Sequence, residues 1–446
     1  MDRKINTRED VIKLCNANDV KFIRLQFCDI HGLVKNISVP IGQLEKALDN
    51  KVMLDGSSIR GFRTIETSDM YFYPDISTFR VLPWRPREGA VARIICDIYN
   101  PDGTPFDGCP RNNLKRVLKK AEDLGYKFNV GPECEFFLFD TDAEGFPTNK
   151  LTDQGGYYDV EPTDLGADVR RTIINTIEEL GCEVEASHHE VAPSQHEINF
   201  KYADALETAD NVITFKWATK SIAHEYGLYA TFMPKPIVGI NGSGMHCNMS
   251  LSDLKGNNVF FDDSKKDGLS DTMKYFIAGL LKHVKSFCAV SNPLVNSYKR
   301  LVPGYEAPVY IAWSKLNRSA LIRIPATRGA GTRAELRCPD PAANPYLAFA
   351  AMLEAGLDGV KNKTQPPDEV NENIYDLEMH TMKERDIHAL PGNLDEALKY
   401  MEESDLVREA LGDHTYHHYI ETKYKEYQSY RAHVSSWETD HYLHAF

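Results

Sequence analysis

Residues 131–139, GPECEFFLF, place two acidic residues directly before an apolar run. Glu133 and Glu135 are two positions apart, so on a β-strand both side chains project from the same face. The apolar residues that follow predict a buried strand, where two like charges are costly unless a cation compensates them. A half-exposed strand with an acidic outer face is the alternative that this stretch leaves open.

A second pair of acidic residues lies in residues 187–200, SHHEVAPSQHEINF. If residues 193–195 lie in the turn of a β-hairpin, Glu190 and Glu197 fall nearly opposite each other on facing strands. Directly opposed like charges destabilise a sheet. A solvated hairpin would explain this stretch taken alone, but two such pairs in one chain favour a divalent-metal site.

A glycine-rich segment, NGSGMHCNMSL at residues 241–251, leads into a strand that begins near His246. Its glycines permit a ligand to approach the backbone closely. The histidine is therefore either a metal ligand or a satisfied core residue.

Arginines are concentrated in the last third of the chain. Arg333 and Arg337 alternate with Glu335, so one strand face presents either a neutral ion-pair ladder or a metal-bound carboxylate flanked by anion-binding groups. Three further arginines occupy apolar, turn-rich surroundings that suit carboxylate or phosphate recognition: Arg300, Arg318 and Arg323. Glu306 lies in the loop PGYEAP, which we interpret as a flap.

These segments supply several glutamates and one histidine in strand-like contexts. Ligation mainly by oxygen suits Mg²⁺ or Mn²⁺, and Mn²⁺ tolerates the histidine better. Two such metals together with several arginines suit phosphoryl transfer. Neither a G-x-x-x-x-G-K-[ST] loop nor a kinase signature is present, so a nucleotide must bind on another scaffold. The residues alone predict a metal-dependent, ATP-using enzyme that acts on an acidic substrate.

Composition limits the other classes of function. The chain has 446 residues, of which 42% are hydrophobic, enough for one large and one smaller domain. A mean hydropathy of -0.42, with no long apolar run and no secretory signal, predicts a protein outside the membrane. Nine cysteines without a C-x-x-C pair predict reduced thiols and a cytoplasmic location. The net charge of -14 disfavours nucleic acid as a partner.

The predicted fold class is α+β. The pattern is mainly β up to about residue 105, with one short helix, IGQLEKAL, and a junction rich in proline and glycine follows at residues 100–111. We expect a domain at 14–105 and a second at 106–446, with helices near 111–124, 164–180, 203–226, 270–290 and 344–360. The aromatic tail at 413–446 is expected to be helical. It either packs on its own domain or forms an arm on a neighbouring subunit.

Five segments in order resemble the signature segments of type I glutamine synthetases. They are DGSS (55–58), GPECEFFLF, NGSGMHCNMSL, KRLVPGYEAPVYIAWS (299–314) and RAELRCPDPAANPYLAFA (333–350). The resemblance implies an N-terminal β-grasp domain and a larger catalytic domain with a curved antiparallel sheet flanked by helices. It also implies a homo-dodecamer of two stacked hexamers, with each active site between subunits. The implied reaction joins ammonia to the side-chain carboxylate of glutamate through γ-glutamyl phosphate, yielding glutamine, ADP and phosphate.

The resemblance also implies roles for individual residues. One metal would be held by Glu135, Glu190 and Glu197, and the metal on the ATP phosphates by Glu133, His246 and Glu335. Glutamate would be bound by Asn241, Gly242, His246, Arg300, Glu306 and Arg337. ATP would be bound by Glu185, Asn248, Ser250, Arg318, Arg323 and Arg333. Ammonium would be bound by Asp55, Ser58, Tyr157 and Glu190. The implied catalytic residues are Asp55 from the neighbouring subunit, the flap residue Glu306, and Arg318. Neither His189 nor His196 matches a family ligand.

The chain departs from some family members at three places. Asn248 stands where some carry a second histidine, and the segment between Arg323 and Arg333 lacks a lysine, for which Arg328 is a candidate substitute. Tyr375 resembles the tyrosine that one subgroup adenylylates, but the inserted segment of that subgroup is absent. We therefore predict no adenylylation, and control by feedback inhibition or a small regulatory protein of the PII-like kind.

Three other functions are compatible with parts of the pattern. A γ-glutamyl-amine or polyamine ligase would keep the ATP, metal and glutamate sites, although the intact ammonium set argues against a larger amine. A non-catalytic structural relative should have lost metal ligands, which are all present. An acidic cation-binding module without chemistry does not explain the clustered arginines.

Overall fold

The computed structural model describes residues 5–86, 88–315 and 317–446. The α-helices are Arg8–Ala17 (α1), Leu44–Leu48 (α2), Pro110–Asp123 (α3), Ala167–Glu179 (α4), Ala205–Glu225 (α5), Asp271–Ser291 (α6), Ser297–Arg300 (α7), Pro345–Asn362 (α8), Met379–Glu384 (α9), Leu394–Glu402 (α10), Asp405–Leu411 (α11), Asp413–Arg431 (α12) and Ser436–Tyr442 (α13). The strands are Val20–Cys28 (β1), Val34–Pro40 (β2), Met53–Asp55 (β3), Asp69–Pro74 (β4), Arg80–Val81 (β5), Ala90–Tyr99 (β6), Tyr126–Thr141 (β7), Pro147–Leu151 (β8), Val184–His189 (β9), Gln195–Phe200 (β10), Ala203–Asp204 (β11), Leu228–Thr231 (β12), Met245–Asp253 (β13), Trp313–Lys315 (β14), Ile322–Ile324 (β15) and Ala334–Leu336 (β16).

The first sheet contains six strands in the order β2-β1-β6-β4-β3, with β5 paired to β6. Strands β1 and β6 are parallel, and the predicted hairpin β1–β2 is antiparallel. The sequence pattern predicted only one short helix in this part of the chain, and α1 was not predicted. A capping box at Thr7 and Asp10 starts this helix, and Val11 and Cys15 bury its inner face in the core of the first sheet. The helix is short and mostly polar, which hides its apolar period.

The second sheet contains ten strands and is built around the sixteen residues of β7. Its main path is β14-β15-β16-β13-β7-β10-β9, and β8, β11 and β12 also pair with β7. All of these pairings are antiparallel except β14 with β15. The five helices expected beyond residue 110 are confirmed as α3, α4, α5, α6 and α8, each within a few residues of its expected ends. The fold is therefore α+β, as predicted.

Arg111 joins the two sheets through a buried ionic network. It lies in the first turn of α3 and donates to Asp97 of β6 at 2.9 Å and to Asp75 at 2.7 Å. It also makes a two-pronged contact with Asp210 of α5 at 2.9 Å from each nitrogen. A guanidinium group matches such paired contacts because its donors lie in one plane. The network fixes the position of the first sheet relative to the helices that cover the second.

Candidate active site

Two adjoining cavities occupy one face of the second sheet. The first, of about 290 Å³, is lined by most of the predicted site residues: Glu133, Glu135, Tyr157, Glu190, Glu197, Asn241, Gly242, His246, Arg300, Glu306, Arg318, Arg323, Glu335 and Arg337. The second, of about 190 Å³, is lined by Glu185, Asn248, Ser250 and Arg333, and it shares Glu133 with the first. We call them the acidic cavity and the side cavity. The fold thus brings residues from across some two hundred positions of sequence into one cleft.

Strand register explains why these acidic residues meet. Glu197 of β10 is paired with Glu135 of β7, and His246 of β13 is paired with Glu133. Because side chains alternate between the two faces of a sheet, these four project into the same cavity. The register of the β9–β10 hairpin differs from the expectation. Glu197 is paired with His188, and Glu190 lies just beyond the end of β9, so the two acidic residues are not directly opposite.

Burial makes this crowding of charge costly. The exposed fractions of Glu135 and Glu197 are only 7% and 5%. Burial, together with the nearby Glu190 carboxylate, raises the pKa of Glu135 to about 8. Burial and the neighbouring Glu135 raise the pKa of Glu197 well above its usual range. Burial acts in the same direction on Glu133, but the hydrogen bond and charge of His246 outweigh it and lower that pKa to about 2. A bound cation would relieve the repulsion among these groups.

The donor set fits divalent cations. Ligand atoms of Glu133, His246 and Glu335 all lie within 4.8 Å of one another, and those of His188, Glu190 and Glu197 form a second such group. Glu135 lies beside the second group in the acidic cavity, where its Oε2 accepts hydrogen bonds from Gln195 Nε2 at 2.8 Å and Gly244 N at 2.9 Å. Carboxylate oxygens with a few imidazole nitrogens are the ligands that Mg²⁺ and Mn²⁺ accept.

The arginines of the acidic cavity keep part of their donor capacity free. Arg323 donates to Glu335 at 2.6 Å, yet its buried Nε has no hydrogen-bond partner among the described residues, and the same holds for Arg337 Nε. Arg300 is 3% exposed and donates to the backbone carbonyls of Cys338 at 2.7 Å and Arg337 at 3.1 Å. Carbonyl partners hold this guanidinium in place without neutralising it. The three side chains therefore suit anionic substrate groups.

Glu306 closes one side of the cavity from an unusual backbone conformation. Its φ is 58°, in the left-handed region, which strains a residue other than glycine. Asn241 Nδ2 donates to Glu306 Oε2 at 3.0 Å and so links the loop to the segment before β13. The Tyr375 hydroxyl donates to the carbonyl of the next residue, Ala307. The loop is thus fastened on both sides of Glu306.

Two of the predicted site residues, Asp55 and Ser58, and the candidate Arg328 lie outside both cavities. Asp55 and Ser58 are exposed residues of the first sheet and its following turn, and neither lines the cleft of its own chain. Hydrogen bonds from the Ser57 hydroxyl and amide lower the pKa of Asp55. Arg328 lines neither cavity and donates instead to the carbonyls of Asp267 at 2.8 Å and Pro325 at 2.6 Å.

Several residues that line the cleft were not predicted from the sequence. His188 Nε2 lies 2.8 Å from Glu190 Oε1, and Gln195 Nε2 also donates to the carbonyl of Gly242 at 3.1 Å. Tyr305 lines the acidic cavity and Tyr202 the side cavity. A signal for His188 was available, because it is two positions before Glu190 and therefore shares its face. The more conspicuous His189 and His196 point to the opposite side and are fully buried.

Comparison with known families identifies both parts of the chain. Residues 19–101 match the model described as the glutamine synthetase beta-grasp domain. Residues 107–442 match the model described as the glutamine synthetase catalytic domain. Together the two models span nearly all of the chain.

Individual relatives are similar over their whole length. A glutamine synthetase of Clostridium saccharobutylicum is 59% identical over 440 residues, with 99% of each chain covered. One from Methanosarcina mazei is 58% identical, covering 99% of this chain and 98% of the relative. One from Staphylococcus aureus strain Mu50 is 56% identical, with 99% of each covered.

Solved structures share the fold. The complex of GmaS with ADP superimposes with a TM-score of 0.89 at 34% identity, covering 97% of this chain and 99% of the other. Plasmodium falciparum glutamine synthetase superimposes with a TM-score of 0.87 at 27% identity, covering 99% of each. Within the described residues, none of the helices has the length and apolar character needed to cross a membrane.

Proposed function

The chain belongs to the glutamine synthetase family, and from that premise we propose which of its residues carry the reaction. The enzyme makes glutamine from glutamate and ammonia with the use of ATP, and it requires Mg²⁺ or Mn²⁺. The observation that carries the proposal is the convergence of the two ligand groups and the partly unpaired arginines in one cleft.

Glu133, His246 and Glu335 would hold one cation, and Glu135, Glu190 and Glu197 the other, with His188 beside the latter group. When bound, these cations would neutralise the phosphate oxygens and make the γ-phosphorus more electrophilic. In the side cavity, Glu185, Asn248 and Ser250 would hold the nucleotide. Arg318, Arg323 and Arg333 would face its phosphates and stabilise the charge that moves during transfer.

Glutamate would lie in the acidic cavity against Arg300 and Arg337, with Asn241, Gly242 and His246 around it. A side-chain oxygen of glutamate attacks the γ-phosphorus, and the bond to ADP breaks, which leaves γ-glutamyl phosphate. Water would hydrolyse such an acyl phosphate, so a closed lid is needed. Glu306 would supply that lid, since its loop is fastened through Asn241 and Tyr375.

Ammonium must first lose a proton to become ammonia. The lone pair of ammonia then attacks the acyl carbon and displaces phosphate. Tyr157, Ser58 and Glu190 would form the pocket, and Asp55 would accept the proton. Hydrogen bonds from Ser57 lower the pKa of Asp55 and so favour the charged carboxylate, which attracts ammonium. Asp55 does not line the cleft of its own chain, so we propose that it reaches the cleft of a neighbouring subunit.

That arrangement requires an oligomer, and we propose a homo-dodecamer of two stacked hexamers. Helix α13 and the residues that follow it support this assembly, because their apolar side chains lack cover: the exposed fractions of Trp437, Leu443 and Phe446 are 56%, 71% and 103%. The earlier helix α12 is packed on its own domain through Tyr416 and Tyr419. The sequence left open whether the tail packs on its own domain or forms an arm on a neighbouring subunit. Helix α12 packs on its own domain, and we propose α13 as the arm.

We further propose the division into domains at 14–105 and 106–446. Val11 of α1 belongs to the hydrophobic core of the first sheet, so the first of these domains extends back from residue 14 to include the whole of α1, from Arg8. A cytoplasmic location is supported by nine unpaired, buried thiols. Regulation would come from feedback inhibition or a PII-like protein, with Tyr375 unmodified.

The deciding experiment measures ATP-, metal- and glutamate-dependent phosphate release with and without ammonium. We expect ammonium to accelerate release in the wild type, with glutamine as the product. In Asp55→Ala the ammonium-dependent rate of phosphate release should fall at least about a hundredfold. The slow phosphate release without ammonium should remain. Ammonium-dependent glutamine synthesis that is unchanged in Asp55→Ala would contradict the role of Asp55.

A further inference from the structure

We propose that Asp153 and His189, which line neither cavity, position the loop that carries Tyr157 and so determine selectivity for ammonium over larger amines. The inference rests on the proposed role of Tyr157 in the ammonium pocket. It concerns residues 153–166, called here the tyrosine loop, and the β9–β10 hairpin on which that loop rests.

Asp153 fastens both ends of the tyrosine loop with one carboxylate. Its Oδ1 accepts from Gly155 N at 3.2 Å at the near end, and its Oδ2 accepts from Leu165 N at 3.2 Å at the far end. Oδ1 also accepts from Ser194 N in the hairpin turn at 2.7 Å. Asp153 is 5% exposed, so these bonds are made away from water. One side chain therefore closes the loop and ties it to the hairpin.

His189 connects this carboxylate to the edge of the cleft. Its Nε2 lies 3.1 Å from Asp153 Oδ1 and its Nδ1 lies 2.7 Å from the carbonyl of Glu190. Both partners are oxygen atoms that accept hydrogen bonds, so the ring is held between the tyrosine loop and the end of β9. The carbonyl of His189 in turn accepts from Tyr158 N at 3.1 Å. The backbone next to Glu190 and the middle of the tyrosine loop are thus held by the same buried residue.

Two glycines allow the loop to lie this close to the hairpin. A Cβ added at Gly155 would lie 2.6 Å from His189 Nε2, and one at Gly166 would lie 2.5 Å from His196 Nε2. The two imidazole rings contact each other edge to face, with centroids 4.9 Å apart. The paired histidines therefore form a platform that supports the tyrosine loop at both of its ends.

The same platform is not a metal site, although Asp153, His189 and His196 lie close enough together for one. Arg170 Nη1 lies 2.9 Å from His196 Nδ1 and must be the donor, so the lone pair of Nδ1 is used and the neutral ring carries its proton on Nε2, which has no hydrogen-bond partner among the described residues. Arg170 is itself paired with Asp164 at 2.7 Å. A cationic guanidinium at this position would repel a metal ion, which leaves a structural role for the cluster.

On the side that faces the cleft, these contacts hold three aromatic side chains in place, Tyr157, Tyr158 and His188, which we call the aromatic edge. The rings of Tyr157 and Tyr158 stack with centroids 4.1 Å apart, and both meet His188 edge to face at 5.4 and 4.9 Å. His188 in turn lies against Glu190. Because the loop is held at its ends and its middle, this edge cannot retreat to admit a methyl group. Loosening the loop should weaken ammonium binding and relax the exclusion of methylamine.

The test compares Asp153→Asn with wild type in the assembled, full-length enzyme. The amide keeps the size of the side chain but turns one acceptor into a donor, which opposes one of the bonded backbone amides. We expect KM for ammonium to rise by about tenfold or more, with KM for glutamate and ATP changed less than about twofold. The turnover ratio of methylamine to ammonium should rise. Asp142→Asn is the matched control, because Asp142 also accepts from two backbone amides, Glu144 N and Phe146 N, in a turn remote from the cleft.

Two further measurements separate positioning from general damage. Amide hydrogen exchange should accelerate in the tyrosine loop but not in α8. In a Tyr157→Ala background, Asp153→Asn should cause little further increase in KM for ammonium, because both changes act on one contact. If Asp153→Asn fails to assemble, Gly155→Ala disturbs the same platform. An unchanged KM for ammonium, or equal increases for all three substrates, would overturn the inference. Failure of the wild type to use ammonium at all would instead overturn the proposed function.

Discussion

Glu135 and Glu197 face each other directly across the β7–β10 ladder, and both are almost completely buried. Within the described part of the chain, neither forms an ion pair with a lysine, arginine or histidine. An arrangement of this kind lowers the stability of the metal-free fold, so it persists because it serves the function.

The first prediction concerns the pH dependence of the metal-free protein. Burial and the Glu190 carboxylate raise the pKa of Glu135 from 4.5 to about 8, so folding favours the protonated form. Its stabilising contribution is complete below pH 4.5 and is lost as the pH rises through about 8. With a chelator present, urea unfolding should show Glu135→Gln more stable than wild type at pH 8.5, by an amount on the order of 2 kcal/mol, and little difference at pH 4.5.

The exposed Glu144→Gln is the control for that experiment and should show no such pH dependence. Adding Mn²⁺ should stabilise the wild type at pH 8.5 far more than Glu135→Gln. Equal stabilisation of the two proteins by Mn²⁺ would remove Glu135 from the proposed ligand set.

The second prediction concerns the flap. Glu306→Ala removes the carboxylate that accepts from Asn241, so the loop should close less completely over the intermediate. Phosphate release per glutamine formed should rise above one, because water gains access to the acyl phosphate. Parallel assays of phosphate and glutamine measure this ratio. A ratio that stays at one while both rates fall would show that Glu306 does not exclude water.

The third prediction concerns the buried network at Arg111. Arg111→Met leaves the carboxylates of Asp75, Asp97 and Asp210 without their common partner. Breaking a buried ionic network by removing one member typically costs about 3–5 kcal/mol. Arg408→Ala removes an exposed pair with Asp413, which water screens, so its loss should change stability far less. Thermal or urea unfolding measures the loss of stability in both variants. Similar losses in the two would show that the buried network contributes no more than an exposed ion pair.

The fourth prediction concerns assembly. Deleting residues 433–446 removes α13 with its exposed Trp437, and Leu443 after it, while leaving α12 intact. Native mass spectrometry should then show hexamers in place of dodecamers, with the truncated chain still folded by circular dichroism. Truncated protein that remains dodecameric would exclude α13 as the contact between rings.

The fifth prediction concerns Tyr375. Its ring is half-buried and its hydroxyl donates to Ala307, so it is occupied in holding the flap loop. Protein isolated from cells grown with abundant nitrogen should have the intact mass of the unmodified chain. An added AMP on this residue would show that the loop releases the hydroxyl to a modifying enzyme.

The sequence was sufficient for the fold class, the family and the location of the main helices. Apolar patterns mark β7 and the helices α3, α4, α5, α6 and α8 because burial imposes those patterns directly on neighbouring residues. The acidic residues of the cleft were also recognisable, since paired carboxylates in strand-like, apolar stretches have few structural uses. Where the period is weak, as in the mostly polar α1, the sequence was not sufficient.

Contacts between distant segments were decided only by the tertiary structure. Glu190 and Glu197 were expected to face each other, but the register of the hairpin pairs Glu197 with His188 instead. Nothing local to Asp153 indicates that it ties the tyrosine loop to a turn some forty residues later. The sequence by itself determined which residue types are present and which face of a strand they share, because that follows from backbone geometry. Which faces then meet was decided by packing, since register and loop closure depend on the whole core at once.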